Sequence, residues 1–118
     1  MTAHYGYVSK GWGHEFIWTK NNGYCGKILS FDQGAKFSMH FHAIKDETWY
    51  VLSGRFIVKW IDTRDASTHE TILTEGMTWH NPPLFPHQLI CIELGKIMEA
   101  STADSVEDNY RIAPGDSQ

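Results

Sequence analysis

The chain has 118 residues, enough for one domain and too few for two. Ten Lys and Arg stand against 14 Asp and Glu, a net charge of −4 with no basic patch or stripe, so neither nucleic acid nor a membrane is expected as a partner. No run approaches the ~20 apolar residues of a membrane span, and Met1 to Lys10 lacks the basic start and apolar core of a secretion signal, so a cytoplasmic setting is expected.

Short β-rich runs dominate the chain, cut by turn residues. His14 to Thr19 is the first, followed by Asn22-Gly23 and then Tyr24 to Phe31. Asn-Gly between two such runs predicts a hairpin, because both residues accept positive φ. After Asp32-Gln33-Gly34 come a strand over Ala35 to His42 and a polar break at Ala43 to Asp46. Glu47 to Leu52 and Arg55 to Asp62 read as two strands around a tight turn at Ser53-Gly54. Thr63 to Ala66 reads as a loop, then Thr68 to Leu73 and Met77 to Trp79 as strands around Glu75-Gly76. Asn81-Pro82-Pro83 with Pro86 cannot lie in a central strand. Gln88 to Leu94 and Lys96 to Ala100 close the β region, and Asp104 to Tyr110 is the best candidate for a short helix. About ten short strands of this spacing mean a sandwich or a closed barrel. Five Trp within a 14% aromatic fraction supply the bulk for one core. Cys25 and Cys91 are too few for a disulfide framework and read as buried thiols. Met39 and Met77 read as core filling. The acidic last third, including Glu99, Asp104, Glu107 and Asp108, reads as a solvated surface.

The residues that carry chemistry begin with His40 and His42. Two apart on a strand, they face the same side, one pleat of roughly 6.5–7 Å apart. Glu47 follows a short break and can return on the next strand, and His87 needs the fold to bring it close. Three imidazoles and one carboxylate suit zinc, manganese, iron or nickel, and suit calcium or magnesium poorly.

Gly34, His40, His42, Glu47 and Gly54 fall at the spacing G-x5-H-x-H-x3,4-E-x6-G. This resembles the first motif of the cupin superfamily. The second, G-x5-P-x-G-x2-H-x3-N, is matched at Gly76, Pro82 and His87, with Leu84 in place of glycine and Cys91 in place of asparagine. The resemblance implies an all-β, single-domain cupin (a double-stranded β-helix, or jelly-roll-like barrel) over residues 1–118, with a barrel core at about 24–100. It also implies one divalent metal ion held by His40, His42, Glu47 and His87. Residues 101–118 are expected to pack outside the barrel or to be partly disordered.

The flanks resemble a narrower group, the cupin domain of type II mannose-6-phosphate isomerases. Lys10-Gly11-Trp12-Gly13-His14-Glu15 is similar to its K-P-W-G-x-E. Ser38, His42, Lys45, Glu47, Trp49, Val51, Ser53 and Gly54 fit its S-L-Q-x-H-x-H-R-x-E-x-W-x-V-x-S-G block, with Lys45 for arginine and His40 for glutamine. Glu107-Asp108-Asn109-Tyr110-Arg111 is similar to its E-D-x-Y-G-R ending. The resemblance implies aldose–ketose isomerisation of a phosphorylated or nucleotide-linked sugar, in which a metal polarises the carbonyl and a base moves the C2 proton. Lys45 and His80 are the leading candidates for that base, with Glu15 and Tyr50 behind them. Trp49 and Tyr50 are candidate pocket walls, and Lys10, Arg55, Lys59 and Arg111 are candidate phosphate donors. Trp49 shares strand parity with Glu47 and is therefore expected to face the interior. Two other classes compete: a non-catalytic sugar-binding or regulatory cupin, and a metal-dependent dioxygenase. Pairing through edge strands into a homodimer is expected from analogy with small barrels.

Overall fold

A computed structural model describes residues 6–116 of the chain. Nine strands make up the fold: β1 (Tyr7–Lys10), β2 (Gly13–Lys20), β3 (Cys25–Phe31), β4 (Met39–Phe41), β5 (Glu47–Asp62), β6 (Ser67–Thr74), β7 (Thr78–Asn81), β8 (His87–Ser101) and β9 (Tyr110–Ala113). All pairings are antiparallel. No helix occurs among the described residues, and the segment from Asp104 to Asn109 is turn and coil rather than the short helix its sequence suggested.

Two long strands build the barrel. The first half of β5 and the second half of β8 belong to one sheet, ordered β1-β2-β3-β8-β5-β7. The other halves belong to a second sheet, ordered β9-β4-β8-β5-β6. Ser53-Gly54 is therefore a bulged corner inside one continuous strand, where the pairing with β8 shifts register, and not a turn between two strands. Gly95 forms the matching corner of β8. A Cβ on Gly54, whose φ is +84°, would stand 2.6 Å from the Gly95 Cα, and a Cβ on Gly95 would collide with the Ser53 backbone. Only two glycines allow both strands to bend at one point.

Between the sheets lies a core of Leu29, Phe31, Trp49, Val51, Phe56, Val58, Leu73, Leu89 and Ile97. Each contributes on the order of 1.5–3 kcal/mol through burial. Alternation along β5 places Glu47, Trp49 and Val51 inside and leaves Thr48 and Tyr50 exposed, as strand parity requires. Both cysteines are buried free thiols. Met39 is buried, but Met77 is exposed on its turn and lends its sulfur to Thr74 instead of filling the core.

Some local expectations change. The β2–β3 hairpin forms, yet neither Asn22 nor Gly23 has positive φ. The turn is organised by the Asn21 side chain, whose Oδ1 accepts from the amides of Gly23 and Tyr24 at 2.7 and 3.0 Å. Residues 35–38 join the sheet only through an isolated bridge between Lys36 and Ile90, so the regular strand is just Met39–Phe41. The C-terminal segment adds β9 to β4 and returns to Lys36, where Asp116 Oδ2 accepts the Lys36 amide at 2.9 Å.

Leu84, at the motif's glycine position, keeps the left-handed backbone with φ +68°. Its amide donates to the His42 carbonyl at 2.6 Å, which ties the proline turn to β4. The side chain is 60% exposed and so recovers little by packing. A left-handed conformation costs an L-residue roughly 1–2 kcal/mol, partly offset by the greater unfolded-state freedom of glycine. Leu84→Gly is expected to raise stability by about 0.5–1 kcal/mol, read as a higher Tm in thermal unfolding; a lower Tm would contradict this account.

Candidate metal centre

Register brings position 87 to position 40. His40 on β4 and His87 on β8 are direct cross-strand partners, so both rings leave the same face of the second sheet. His42 lies one pleat beyond His40, just past the end of β4. The ring centroids are 4.9 Å apart for His40–His87, 5.0 Å for His40–His42 and 5.8 Å for His42–His87. All three residues are buried, and one nitrogen from each lies within 4.8 Å of the other two. Sequence spacing two apart provided the first pair; only strand pairing provided the third ring.

Each Nδ1 is occupied by a partner outside the cluster. His42 Nδ1 meets the Asp108 carbonyl at 2.6 Å, and His87 Nδ1 meets the Phe85 carbonyl at 2.8 Å. A carbonyl only accepts, so both rings carry their proton on Nδ1 and present a lone pair at Nε2. His40 Nδ1 meets the Ser38 hydroxyl, which can accept in the same way, at 3.1 Å. Charging the cluster by protonation is resisted. Burial first, then the neighbouring His87 and His42 rings, push His40 down to about 3. Burial also lowers His42. His87 Nε2 is fully buried and its polar neighbour is the Glu47 carboxylate. Such a nitrogen, facing two other lone pairs, fits a divalent cation, which the donor set of three imidazoles also suits.

Glu47 opens β5 and borders the triad at His87, its Oε1 standing 3.0 Å from His87 Nε2. Two ligands about 2.1 Å from a common ion at right angles stand about 3.0 Å apart, so this spacing fits neighbouring ligands. Burial alone would raise the Glu47 carboxyl, but the Lys45 ammonium 3.2 Å from its Oε2 helps hold it well below the usual carboxylate range. Asn81 donates to Glu47 Oε1 at 3.1 Å and is itself held by Trp79 Nε1 at 2.8 Å. Sequence reasoning passed over Asn81, taking it as a loop residue beside prolines; it ends β7 and is fully buried.

Behind the triad lies a buried ionic network. Lys45 Nζ contacts Glu99 at 3.0 Å, Glu47 at 3.2 Å and Asp104 at 3.3 Å. Lys27 Nζ contacts Asp104 at 2.8 Å and Glu15 at 3.4 Å. Burial, reinforced by Glu47, raises the Glu99 carboxyl to about 7. Burial would lower Lys45, yet Glu99, Glu47 and Asp104 hold it charged far above neutrality. A lysine kept as ammonium cannot accept a proton, so the base role expected for Lys45 does not fit its surroundings. Glu99, Asp104 and Asp108 are not the solvated acids their sequence suggested; the signal for Glu99 was its shared parity with the apolar Ile97 on β8.

A cavity of about 420 Å³ opens over the cluster, walled by Trp12, Glu15, His40, His42, Glu47, Trp49, Glu99 and Arg111 among others. Lys10 lines its mouth. Several expected site residues lie elsewhere. His80 is on the outer surface of β7, half-exposed and paired with Asp46 at 2.5 Å. Tyr50 points outward from β5, 43% exposed. Arg55 is exposed outside the cavity, and Lys59 reaches Glu70 on the outer face at 4.0 Å. Outward placement of Tyr50 follows from the alternation that turns Trp49 and Glu47 inward, whereas Arg55 and Lys59, of the same parity as Glu47, face outward because the bulge at Ser53-Gly54 reverses the parity of β5. Of the remaining tryptophans, Trp60 and Trp79 pack with Phe85, while Trp18 is half-exposed over Gly26.

The cupin-domain family matches residues 27–98, more than half of the chain. The chain belongs to the cupin family. A search of curated proteins finds no sequence match. Among solved structures, this cupin is similar to the capsular polysaccharide assembling protein CapF of Staphylococcus aureus, with a TM-score of 0.79 at 13% identity. It covers 95% of this chain but only 33% of CapF, so the chain spans about a third of that protein. An RmlC-like cupin from Shewanella frigidimarina aligns with a TM-score of 0.72 at 21% identity, over 90% of this chain and 88% of its own. KdgF from a Halomonas species aligns with a TM-score of 0.71 at 18% identity, over 89% and 90%. At these identities the likeness is one of fold.

Removing the Lys45 ammonium leaves three carboxylates packed without their shared cation. Lys45→Met is expected to destabilise the protein by about 3–5 kcal/mol, measured by urea unfolding at neutral pH. A loss below about 1 kcal/mol would show that the network is well solvated.

Proposed function

We propose that this cupin binds one divalent metal ion through His40, His42, His87 and Glu47 and acts as an aldose–ketose isomerase on a phosphorylated or nucleotide-linked sugar, of the mannose-6-phosphate isomerase type. The observation that carries the metal site is the set of three buried histidines with a ring nitrogen of each within 4.8 Å of the others, and the Glu47 carboxylate 3.0 Å from one of them. The sugar reading rests on the flanking resemblance at Trp12-Gly13 and Glu107-Asp108, and on where those segments lie. Trp12 forms cavity wall, and the Asp108 segment borders the same cavity.

The bound ion would act as a Lewis acid toward a carbonyl and its neighbouring hydroxyl. The protein's own groups divide the remaining tasks. Trp49 and Trp12, both buried, supply the apolar part of the cavity wall against which a sugar would sit. Arg111, the cross-strand partner of His40 on β9, offers a guanidinium for a phosphate beside the metal centre. Lys45 keeps Glu47 ionised. Glu99 lies on the cavity wall with Oε1 near Trp49 Nε1 at 3.4 Å, and its carboxyl takes over the proton-carrying role expected of Lys45 or His80. A specific observation favours a second reading, a sugar-binding cupin without turnover: of the two leading base candidates, one faces outward and the other is held charged.

His42→Ala is expected to lose metal by at least about 100-fold in affinity while keeping the fold, checked by elemental analysis and circular dichroism. A variant that retains a full equivalent of metal would remove His42 from the ligand set. Solvent deuterium exchange at C2 of mannose 6-phosphate by the metal-loaded protein supports the isomerase; binding without exchange across a panel of sugar phosphates supports the second reading. The exposed edge of β6 and its outward Ile72 support a homodimer as the working assembly. Light scattering should then give twice the chain mass, with Ile72→Lys shifting it to monomer; a wild-type monomer would exclude the dimer.

A further inference from the structure

His40 and His87 sit inside strands, where the ladder sets their backbone. His42 does not, because β4 ends at Phe41. Its ring direction must come from another source, and one residue provides it. Asp108, itself buried, accepts His42 Nδ1–H on its main-chain oxygen at 2.6 Å. Its carboxylate gathers the three amides that follow His42. Oδ1 accepts from Ala43 at 2.7 Å, both oxygens share Ile44 at 3.3 and 3.2 Å, and Oδ2 accepts from Lys45 at 2.9 Å. The break at Ala43–Asp46 therefore has its first three amides satisfied by a side chain 63–65 residues away in sequence.

We propose that Asp108 is a positioning residue for the metal centre: its carboxylate clamps residues 43–45, and this clamp fixes the carbonyl that holds the His42 ring with Nε2 toward His40 and His87. The inference rests on the metal reading given above. It adds that a residue touching neither metal nor substrate sets the geometry of one ligand. The chemistry is specific to a carboxylate. Asparagine keeps one acceptor but turns an amide donor toward the Lys45 N–H, setting donor against donor. Alanine removes every acceptor. The same loop carries Lys45, so the clamp also fixes the cation that keeps Glu47 ionised.

The test uses the full chain, stripped of metal and titrated with zinc against a competing chelator. Asp108→Ala should weaken zinc binding about 10–100-fold and Asp108→Asn by less. Asp116→Ala is the control, since it releases the other end of the same segment at Lys36, away from His42. It should leave zinc affinity unchanged. Near-ultraviolet circular dichroism confirms that each variant is folded, and Asp108→Asn serves if the alanine variant is not. In the metal-free protein, nitrogen-15 spectra should show His42 protonated on Nδ1 in the wild type and as a tautomer mixture in Asp108→Ala. Wild-type zinc affinity in Asp108→Ala with His42 still on Nδ1 would overturn the proposal, as would equal losses in Asp108→Ala and Asp116→Ala. If the wild type binds no zinc, the metal reading fails, and the tautomer measurement alone decides whether Asp108 orients His42.

Discussion

Three buried imidazoles forced to face one another are the constraint on which the site depends. Buried acceptors without donors are costly. Protonating them is no remedy, because burial and mutual repulsion push His40 down to about 3. The fold sustains this arrangement because the Nδ1–H groups of His42 and His87 donate to main-chain oxygens and His40 Nδ1 meets the Ser38 hydroxyl, so the rings cannot turn away without stranding those partners in turn. A site built this way is complementary to a small cation and to little else.

The charges behind the triad follow from the same logic. Glu47 must stay ionised in a nearly dry position, and a lone buried carboxylate would not. Lys45 keeps it so, and Lys45 in turn is held by Glu99 and Asp104. Lys27 extends the chain of ion pairs to Glu15 on β2. The network thus ties β2, β3, β5 and β8 to the loop before β5 and to the segment after β8. Its net worth to stability is modest by comparison with an apolar replacement, whereas loss of a single member is not.

Three further features place this centre. The paired corners at Gly54 and Gly95 let β5, which opens with Glu47, and β8, which opens with His87, pass from one sheet to the other. The C-terminal segment completes the wall. It pairs β9 with β4 and brings Asp108 against the loop that carries His42 and Lys45. The strained Leu84 turn approaches His42 from the other side through its amide.

Alternation of inward and outward residues was legible along each strand, which is why the parity of His40 with His42 and of Glu47 with Trp49 could be read directly. The sequence therefore determined the all-β character, the family motif and the chemistry of the donor set, since these are properties of neighbouring residues. Ser53-Gly54 read as a turn because a bulged corner and a hairpin use the same residue types. Tertiary structure decided what depends on which strands pair. It brought His87 against His40, turned His80 outward, buried Glu99 and Asp108 and drew a half-buried Asp104 onto the two lysines. Burial of a charged group is set by partners distant in sequence, here two lysines and a row of main-chain amides, and no local pattern records them.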